Sequence, residues 1–286
     1  MNSDYIKGPL NYTGGKYSIL KDILPHFPKN INTFIDLFAG GLNVGINITA
    51  KRIIANDQIS YLIEMYEYFK KTDLEEILDG IDSIISEYSL DQMNVDGYNK
   101  LRNDYNSSQT PLKLFVLTCF SFNHQIRFNN SMKFNTPFGK DRSSYNESIK
   151  KNLIRFCQKL KSENFELSSL DFRKIEIANL GPTDVVYCDP PYLITTGSYN
   201  DGKRGFSDWK QEEDDALLSL LDKLNEKNVP FFLSNVFYHK GLMNEKLIEW
   251  SKKYKVIYID KSYANCSYHF KDRNAKTVEV LITNYE

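Results

Sequence analysis

The 286-residue chain is 41% hydrophobic and 26% charged with a net charge of −1, so it buries a substantial core as one large domain or as a domain with an insertion. No apolar run reaches the roughly 18–20 residues of a membrane span and no basic stretch leads into a hydrophobic one at the N-terminus, which excludes a membrane-spanning class and makes cytoplasmic placement the expectation. Cys119, Cys157, Cys188 and Cys266 form no CxxC pair, and His26, His124, His239 and His269 are equally dispersed, which disfavours a disulfide framework, a zinc site and metal-dependent hydrolysis; no metal is expected.

The first punctuated segment is Tyr12-Thr13-Gly14-Gly15-Lys16, a flexible turn whose aromatic ring could pack beside a cofactor and whose lysine could pair with a cofactor carboxylate; a surface turn is the plain alternative. A buried strand is predicted over residues 33–38, including Asp36 and Phe38, and it runs into Ala39-Gly40-Gly41 and a helix start. Glycines there let the backbone approach a ligand at the carboxyl ends of the strands. The spacing is not GxGxxG, which disfavours a pyrophosphate-binding site. A second strand, 52–55, ends at Asn56-Asp57, where a carboxylate can accept from both hydroxyls of a ribose. Glycine turn and acid together fit S-adenosylmethionine or NAD, or a tight strand-to-helix turn with a capping Asp.

From about residue 60 to 161 the chain is helix-like, with no convincing buried strand before the polar, aromatic stretch around 127–140. Residues 58–109 hold four Lys/Arg against eleven Asp/Glu, whereas 111–161 hold ten against two. A further basic stretch, 252–276, has seven against two. Such segregation suits a phosphate-facing surface, although a solvated helix face carries the same pattern. Strands resume at 184–188, 230–233, 255–259 and 277–282, with amphipathic helices over 211–227 and 242–252. The fold expected is α/β: a catalytic domain from 1–59 and 162–286, interrupted by an inserted, mostly helical domain at 60–161.

Asp189-Pro190-Pro191-Tyr192 directly follows the 184–188 strand, on the same rim as the glycine turn. Two prolines fix φ and remove two N–H donors, which holds the backbone extended and leaves its carbonyls free to accept. That suits a planar amino-group substrate such as adenine N6, whose delocalised lone pair becomes nucleophilic when both hydrogens are accepted, here by Asp189 and the Pro190 carbonyl. Tyr192 offers an aromatic face to a base turned out of the duplex. A rigid turn after a buried strand is the alternative. Cys188 could suggest a cytosine-C5 nucleophile, but at the end of an apolar strand a core thiol is expected.

With these motifs in place the chain resembles, over nearly its whole length, the Dam-like family of DNA adenine methyltransferases, in which the cofactor motif precedes the recognition domain and DPPY follows it. The resemblance implies a Rossmann-like S-adenosylmethionine-dependent methyltransferase domain with an inserted target-recognition domain, acting on double-stranded DNA by base flipping and leaving S-adenosylhomocysteine. It implies either a restriction-modification methylase paired with an endonuclease or a solitary enzyme, in a prokaryotic or phage-infected cell. Tyr12, Gly14, Gly15 and Lys16 match the N-terminal cofactor motif, although the family often has Trp where Tyr12 stands; Asp36, Phe38, Ala39, Gly40 and Gly41 match the glycine motif. Asp57 matches the ribose-binding acid, Asp189 to Tyr192 the catalytic motif, with Asp189 also beside the cofactor, and Asp171 and Phe172 the segment that holds the cofactor's adenine.

Residues 122–140 resemble the DNA-contacting segment of members that modify GATC. The resemblance makes Arg127 a reader of guanine, Asn129, Asn135 and Pro137 positioning or intercalating residues, and Lys133, Lys140 and Arg142 phosphate contacts. The Gly-, Ser- and Asn-rich stretch 195–208, with Lys203-Arg204, reads as a mobile loop that orders over DNA, or as a plain surface loop. Methylation of cytosine N4, RNA adenine or glutamine, a DNA-binding protein that has lost methyl transfer, and a nucleotide-dependent oxidoreductase are the competing readings.

Overall fold

The computed structural model describes residues 5–12, 14–195, 209–259 and 277–286. Thr13, the 196–208 part of the Gly-rich loop with Lys203 and Arg204, Cys266, His269 and most of the 252–276 basic stretch lie outside the described residues. Among the described residues the strands are β1 (Thr33–Asp36), β2 (Arg52–Asn56), β3 (Phe165–Ser168), β4 (Val185–Cys188), β5 (Phe231–His239), β6 (Leu242–Met243), β7 (Lys255–Tyr258) and β8 (Thr277–Thr283). They form one sheet in the order β3-β2-β1-β4-β5-β8-β7, with β6 paired to the end of β5. The first five positions are parallel; β8 runs antiparallel to both β5 and β7.

Successive residues of the central strands alternate between two cores, as the period of two in a strand requires. Phe34, Val185, Tyr187, Phe232 and Leu281 belong to one cluster, and their neighbours Ile35, Val186, Cys188, Phe231, Leu233 and Ile282 to the other. The second face is covered by α7 (Gln211–Glu226), through Leu217, Leu218, Leu221 and Leu224, and by α8 (Glu245–Ser251), through Leu247. Burial on both faces explains why these strands read as continuous apolar runs.

The first face is covered mainly from the stretch between β2 and β3, which contains α2 (Ser60–Lys71), α3 (Leu74–Glu87), α4 (Val95–Ser107), α5 (Pro111–Phe120) and α6 (Glu147–Ser162). Leu62, Met65, Tyr66 and Phe69 of α2 and Phe156 of α6 pack in the same cluster as the sheet residues Ile53 and Phe165. The helical stretch and the sheet therefore share a continuous core. Side-chain caps fix several starts: Asn94 accepts from the Gly97 N–H at 2.9 Å and Asn146 from the Ile149 N–H at 3.0 Å. Thr110 caps α5, and Pro111 occupies its first turn where no N–H is needed.

The structure differs from the sequence reading at several places, the first being the helix expected after the glycine turn, where only a short 3-10 turn, Gly45–Asn47, forms before β2. β3 is an additional edge strand whose pattern, with Phe165 buried and Glu166 exposed, is too short to stand out beside α6. β5 continues to His239, well past residue 233, because the polar Ser234 and Asn235 are buried in it; Ser234 Oγ lies 2.9 Å from the Tyr187 hydroxyl. The helix expected from 242 begins at Glu245, since Leu242 and Met243 pair with β5 and Asn244 caps the helix by accepting from the Leu247 N–H at 3.2 Å.

The order runs outward from β1 to β2 and β3 on one side and from β4 to β5 on the other, so the topological switch lies between β1 and β4, where open parallel sheets bind ligands outside their carboxyl ends. Asn56, at the end of β2 and 1% exposed, ties this rim together. Its amide donates to the carbonyls of Leu37 (3.2 Å) and Leu170 (3.0 Å), and its carbonyl accepts from Leu170 N–H (3.0 Å) and Ser168 Oγ (2.8 Å). Asn56→Ala leaves these groups unpaired, and urea denaturation is expected to show a loss of about 1–3 kcal/mol; a loss below about 0.5 kcal/mol would mean that water replaces the amide without cost.

Candidate active site

A cavity of about 340 Å³ opens at the switch point. Every residue that the sequence assigned to the cofactor or to catalysis lines it: Tyr12, Gly14, Gly15 and Lys16 from the N-terminal turn, Asp36 at the end of β1 and Phe38 to Gly41 after it, Asp57 after β2, Asp171 and Phe172 after β3, and Asp189 to Tyr192 after β4. The size suits a small-molecule ligand.

The glycine turn is shaped by close packing. Gly40 adopts φ +45°, and a Cβ there would lie 2.8 Å from the Tyr12 ring, so this position needs glycine both for its backbone and for its neighbour. The Gly40 N–H donates to Asp57 Oδ2 at 2.7 Å, and the Gly40 carbonyl accepts from the Tyr66 hydroxyl at 2.7 Å. The other Asp57 oxygen accepts from the Ile59 N–H at 2.9 Å. Asp57 thus holds the turn in place while lining the cavity. Asp36, 1% exposed, accepts from the Gly45 N–H at 3.0 Å through Oδ2, and its Oδ1 has no hydrogen-bond partner within the described residues.

The Asn56 contacts bring Leu170 to Phe172 over the cavity. Asp171 accepts from the Arg173 N–H at 2.9 Å and pairs with the Arg173 guanidinium, which holds its carboxyl below the usual carboxylate range. Phe172 packs on Phe38 at 5.4 Å between ring centroids, and Trp209 closes the group at 5.5 Å from Phe38 and 5.6 Å from Phe172. An aromatic cluster, a cradling acid and a carboxylate oxygen without an internal donor suit a ligand that combines a planar base, a ribose and an ammonium. Sequence reading missed Trp209, Asn56, Arg173 and Glu213 in this lining. Trp209 gave no signal because a helix start follows it and no motif contains it.

Opposite lies a mostly buried charge cluster. The Lys16 ammonium, on a residue 5% exposed, sits 2.8 Å from Asp189 Oδ2, 3.6 Å from Glu279 Oε1 of β8 and 2.9 Å from the Gly14 carbonyl. It also lies 5.1 Å from the centroid of the Tyr192 ring. The Tyr192 hydroxyl donates to Asp189 Oδ1 at 2.9 Å, with Glu279 Oε1 at 3.5 Å. Lys16, read from the sequence as a partner for a cofactor carboxylate, is held here by protein carboxylates. Burial raises the Asp189 carboxyl, and the Lys16 charge with the Lys16 and Tyr192 hydrogen bonds acts against that rise. Glu279 is raised by burial and by Asp189, against Lys16. Nothing in the sequence marked Glu279, a lone acid in an apolar strand. Cys119, Cys157 and Cys188 are buried free thiols, and burial pushes Cys188 well above the ordinary thiol range, which leaves it without nucleophilic character.

The predicted DNA-contacting segment lies outside the cavity lining. Arg127, Asn129, Lys133, Asn135, Pro137, Lys140 and Arg142 are all exposed, whereas Phe128, Phe134 and Thr136 between them are buried. A bridge pairs Phe128 with Phe134, and the segment is anchored on α4: Asn106 takes both the N–H (2.7 Å) and the carbonyl (3.0 Å) of Phe134, and the Tyr98 hydroxyl donates to the Thr136 carbonyl at 2.9 Å. The Arg127 guanidinium donates to Gln125 Oε1 at 2.7 Å, and Arg142 stacks over Phe122 at 5.1 Å. The Asn129 side-chain oxygen is committed to the N–H groups of Ser131 and Lys133, both at 3.0 Å, so it closes the loop rather than pointing a free acceptor outward. Asn11, next to Tyr12, donates to the Asn123 carbonyl at 3.0 Å and links this segment to the cavity rim. Among the described residues, no group of three or more His, Cys, Asp or Glu side chains is arranged to hold a metal, and no helix is long and apolar enough to cross a membrane.

The profile of the family described as D12 class N6 adenine-specific DNA methyltransferase matches residues 12–265. The chain is 49% identical over 283 residues to the type II methyltransferase M.FokI of Planomicrobium okeanokoites, covering 99% of this chain and 43% of that one. It is 48% identical over 284 residues to the modification methylase StsI of Streptococcus sanguinis, again 99% of this chain and 43% of that one. The DNA adenine methylase of Escherichia coli (strain K12) is 27% identical over 251 residues, 86% of this chain and 84% of that one. The chain therefore spans less than half the length of the two modification enzymes.

Asp36 supplies a pH test of the cavity. Burial pushes its carboxyl up to about 8; the Gly45 N–H opposes the rise, and Asp189 and Asp57 add to it. Because the folded-state value is raised, the stability tied to this group is full at acid pH and is lost as pH rises through about 8. Asp36→Asn cannot ionise, so the melting temperature of the variant minus that of the parent is expected to rise between about pH 4 and about pH 8 and to level off above that. A difference that stays flat across this range would show that Asp36 ionises as readily folded as unfolded.

Proposed function

The chain belongs to the D12 class of N6 adenine-specific DNA methyltransferases, and we propose that it methylates N6 of an adenine within a specific sequence of double-stranded DNA. Members of this family use S-adenosylmethionine. The observation that carries the reading is the placement of Asp189, on a rigid Pro-Pro turn with Lys16 at 2.8 Å, in the same cavity as the aromatic cluster and the Asp36 and Asp57 carboxylates.

The bound cofactor supplies a methyl group already activated by its sulfonium. The protein's part is orientation and charge. Asp189 and the Pro190 carbonyl accept the two N6 hydrogens and localise the nitrogen lone pair; Pro191 keeps the backbone extended, and its missing N–H leaves no competing donor. The Tyr192 ring offers a face to the flipped base, with its hydroxyl anchored on Asp189. Phe38, Phe172 and Trp209 receive the cofactor's adenine, Asp171 lies beside them, Asp57 serves its ribose, and Asp36 serves its ammonium. Tyr12, Gly14, Gly15 and Ala39 to Gly41 shape the wall between.

Residues 1–59 and 162–286 form the catalytic unit in this reading, and 60–161 an inserted, mostly helical target-recognition unit. Within it Arg127 reads a guanine, Asn135 and Pro137 flank it, and Lys133, Lys140 and Arg142 take phosphates. Exposure of all these residues on a segment anchored to α4 supports the reading. GATC is the sequence that the resemblance of residues 122–140 favours. The 49% identity to a type II methyltransferase, against 27% to a DNA adenine methylase, favours a restriction-modification enzyme with an endonuclease partner, acting in the cytoplasm, over a solitary one.

Labelled S-adenosylmethionine and unmethylated duplex DNA, followed by digestion with GATC-cleaving enzymes of opposite methylation sensitivity, test this function. Label at adenine N6 within GATC is expected; label at N6 elsewhere would keep the chemistry and overturn the recognition sequence, and no label would overturn both. Asp189→Ala is expected to abolish transfer while DNA binding persists, and near-normal turnover would remove Asp189 from its role. Arg127→Ala is expected to cost about 1–3 kcal/mol of discrimination at one base pair in competition binding. A uniform loss across all sequences would make Arg127 a phosphate contact instead.

A further inference from the structure

The Lys16 ammonium lies 2.9 Å from the Gly14 carbonyl and 2.8 Å from Asp189 Oδ2, and it forms an ion pair with Glu279 Oε1 at 3.6 Å. The Tyr192 hydroxyl stands between the same two carboxylates, 2.9 Å from Asp189 and 3.5 Å from Glu279. Glu279 reaches this position from β8, where it pairs in register with Val236 of the extended part of β5. It therefore touches two of the groups that fix Asp189.

We propose that Glu279 is a positioning residue for methyl transfer: by sharing the Lys16 ammonium and the Tyr192 hydroxyl with Asp189, it keeps the Asp189 carboxylate oriented and able to accept from the substrate amino group. This role rests on the function proposed above. With Glu279 absent, the Lys16 ammonium loses one of the carboxylates that share it and is drawn onto Asp189 as a tighter ion pair. Acceptor sites on Asp189 that face the cavity are then taken by Lys16. The described charged and titratable groups facing Glu279 are Lys16 on the N-terminal turn and Tyr187, Asp189 and Tyr192 on and after β4. Removing its charge lowers the proton affinity of Asp189, because Lys16 then serves one carboxylate instead of two.

Single-turnover methylation of duplex DNA by the full chain, measured across pH for the parent, Glu279→Ala and Glu279→Gln, tests the proposal, with thermal melting as a control. Glu279→Ala is expected to lower the transfer rate roughly 10- to 100-fold with KM for S-adenosylmethionine and for DNA within about 3-fold of the parent. Glu279→Gln, which can still accept from Lys16 and Tyr192, recovers part of that loss. In both variants the acid limb of the pH profile moves to lower pH. An unchanged rate in Glu279→Ala, or a lowered rate with an unmoved acid limb and a matching fall in melting temperature, overturns the role and makes Glu279 a structural residue. Absence of label from the parent protein itself overturns the function and the role of Glu279 with it, whereas parental label beside an unaffected Glu279→Ala overturns the role alone.

Discussion

The contact between Lys16 and Asp189 joins the N-terminal turn to the carboxyl end of β4 where little water reaches to screen it. A charge held in such surroundings needs its partner: removing Lys16 leaves the Asp189 carboxylate without its cation, which is more costly than losing an exposed ion pair. The pair also bears on the chemistry proposed for Asp189. Asp189 would drift toward its protonated form under burial alone, and a protonated carboxyl loses much of its capacity to accept. The lysine keeps an acceptor in place on the rigid turn, and the Tyr192 hydroxyl sets its second oxygen.

The remaining architecture delivers groups to that pair. Parallel strands on either side of the switch between β1 and β4 end on one rim, so the chain can bring Asp36, Asp57, Phe172 and Asp189 from four different strands into one cavity. Asn56 registers the loop after β3 against the loop after β1, which carries Phe172 to Phe38. β5 and β8 extend past the rim as a paired ribbon, and Glu279 enters the site from it. Several of these groups sit at the expense of stability, Asp36 most plainly, since burial raises its carboxyl to about 8.

The surface segment at 122–142 follows a different logic. Its exposed cations and amides are set by a buried row, Phe128, Phe134 and Thr136, clasped by polar side chains of α4. The acidic character of 58–109 and the basic character of 111–161 thus meet within one packed unit, with neutral Tyr98 and Asn106 making the contact.

Local sequence determined those features whose physics is local. Asp189 to Tyr192 was legible because prolines dictate their own backbone, Gly40 because its left-handed φ admits few other residues, and the central strands because burial on both faces leaves an apolar run. The tertiary structure alone decided how Lys16 is used, that β5 carries buried Ser234 and Asn235 past its apolar stretch, that Asn129 closes its own loop, and that Trp209 and Glu279 face the cavity and its charge cluster. Apart from the Asn129 contacts, which close locally on Ser131 and Lys133, each of these depends on a partner distant in sequence. A polar group in an apolar strand, or an ammonium beside a glycine turn, has no fixed meaning until the fold supplies the group that satisfies it.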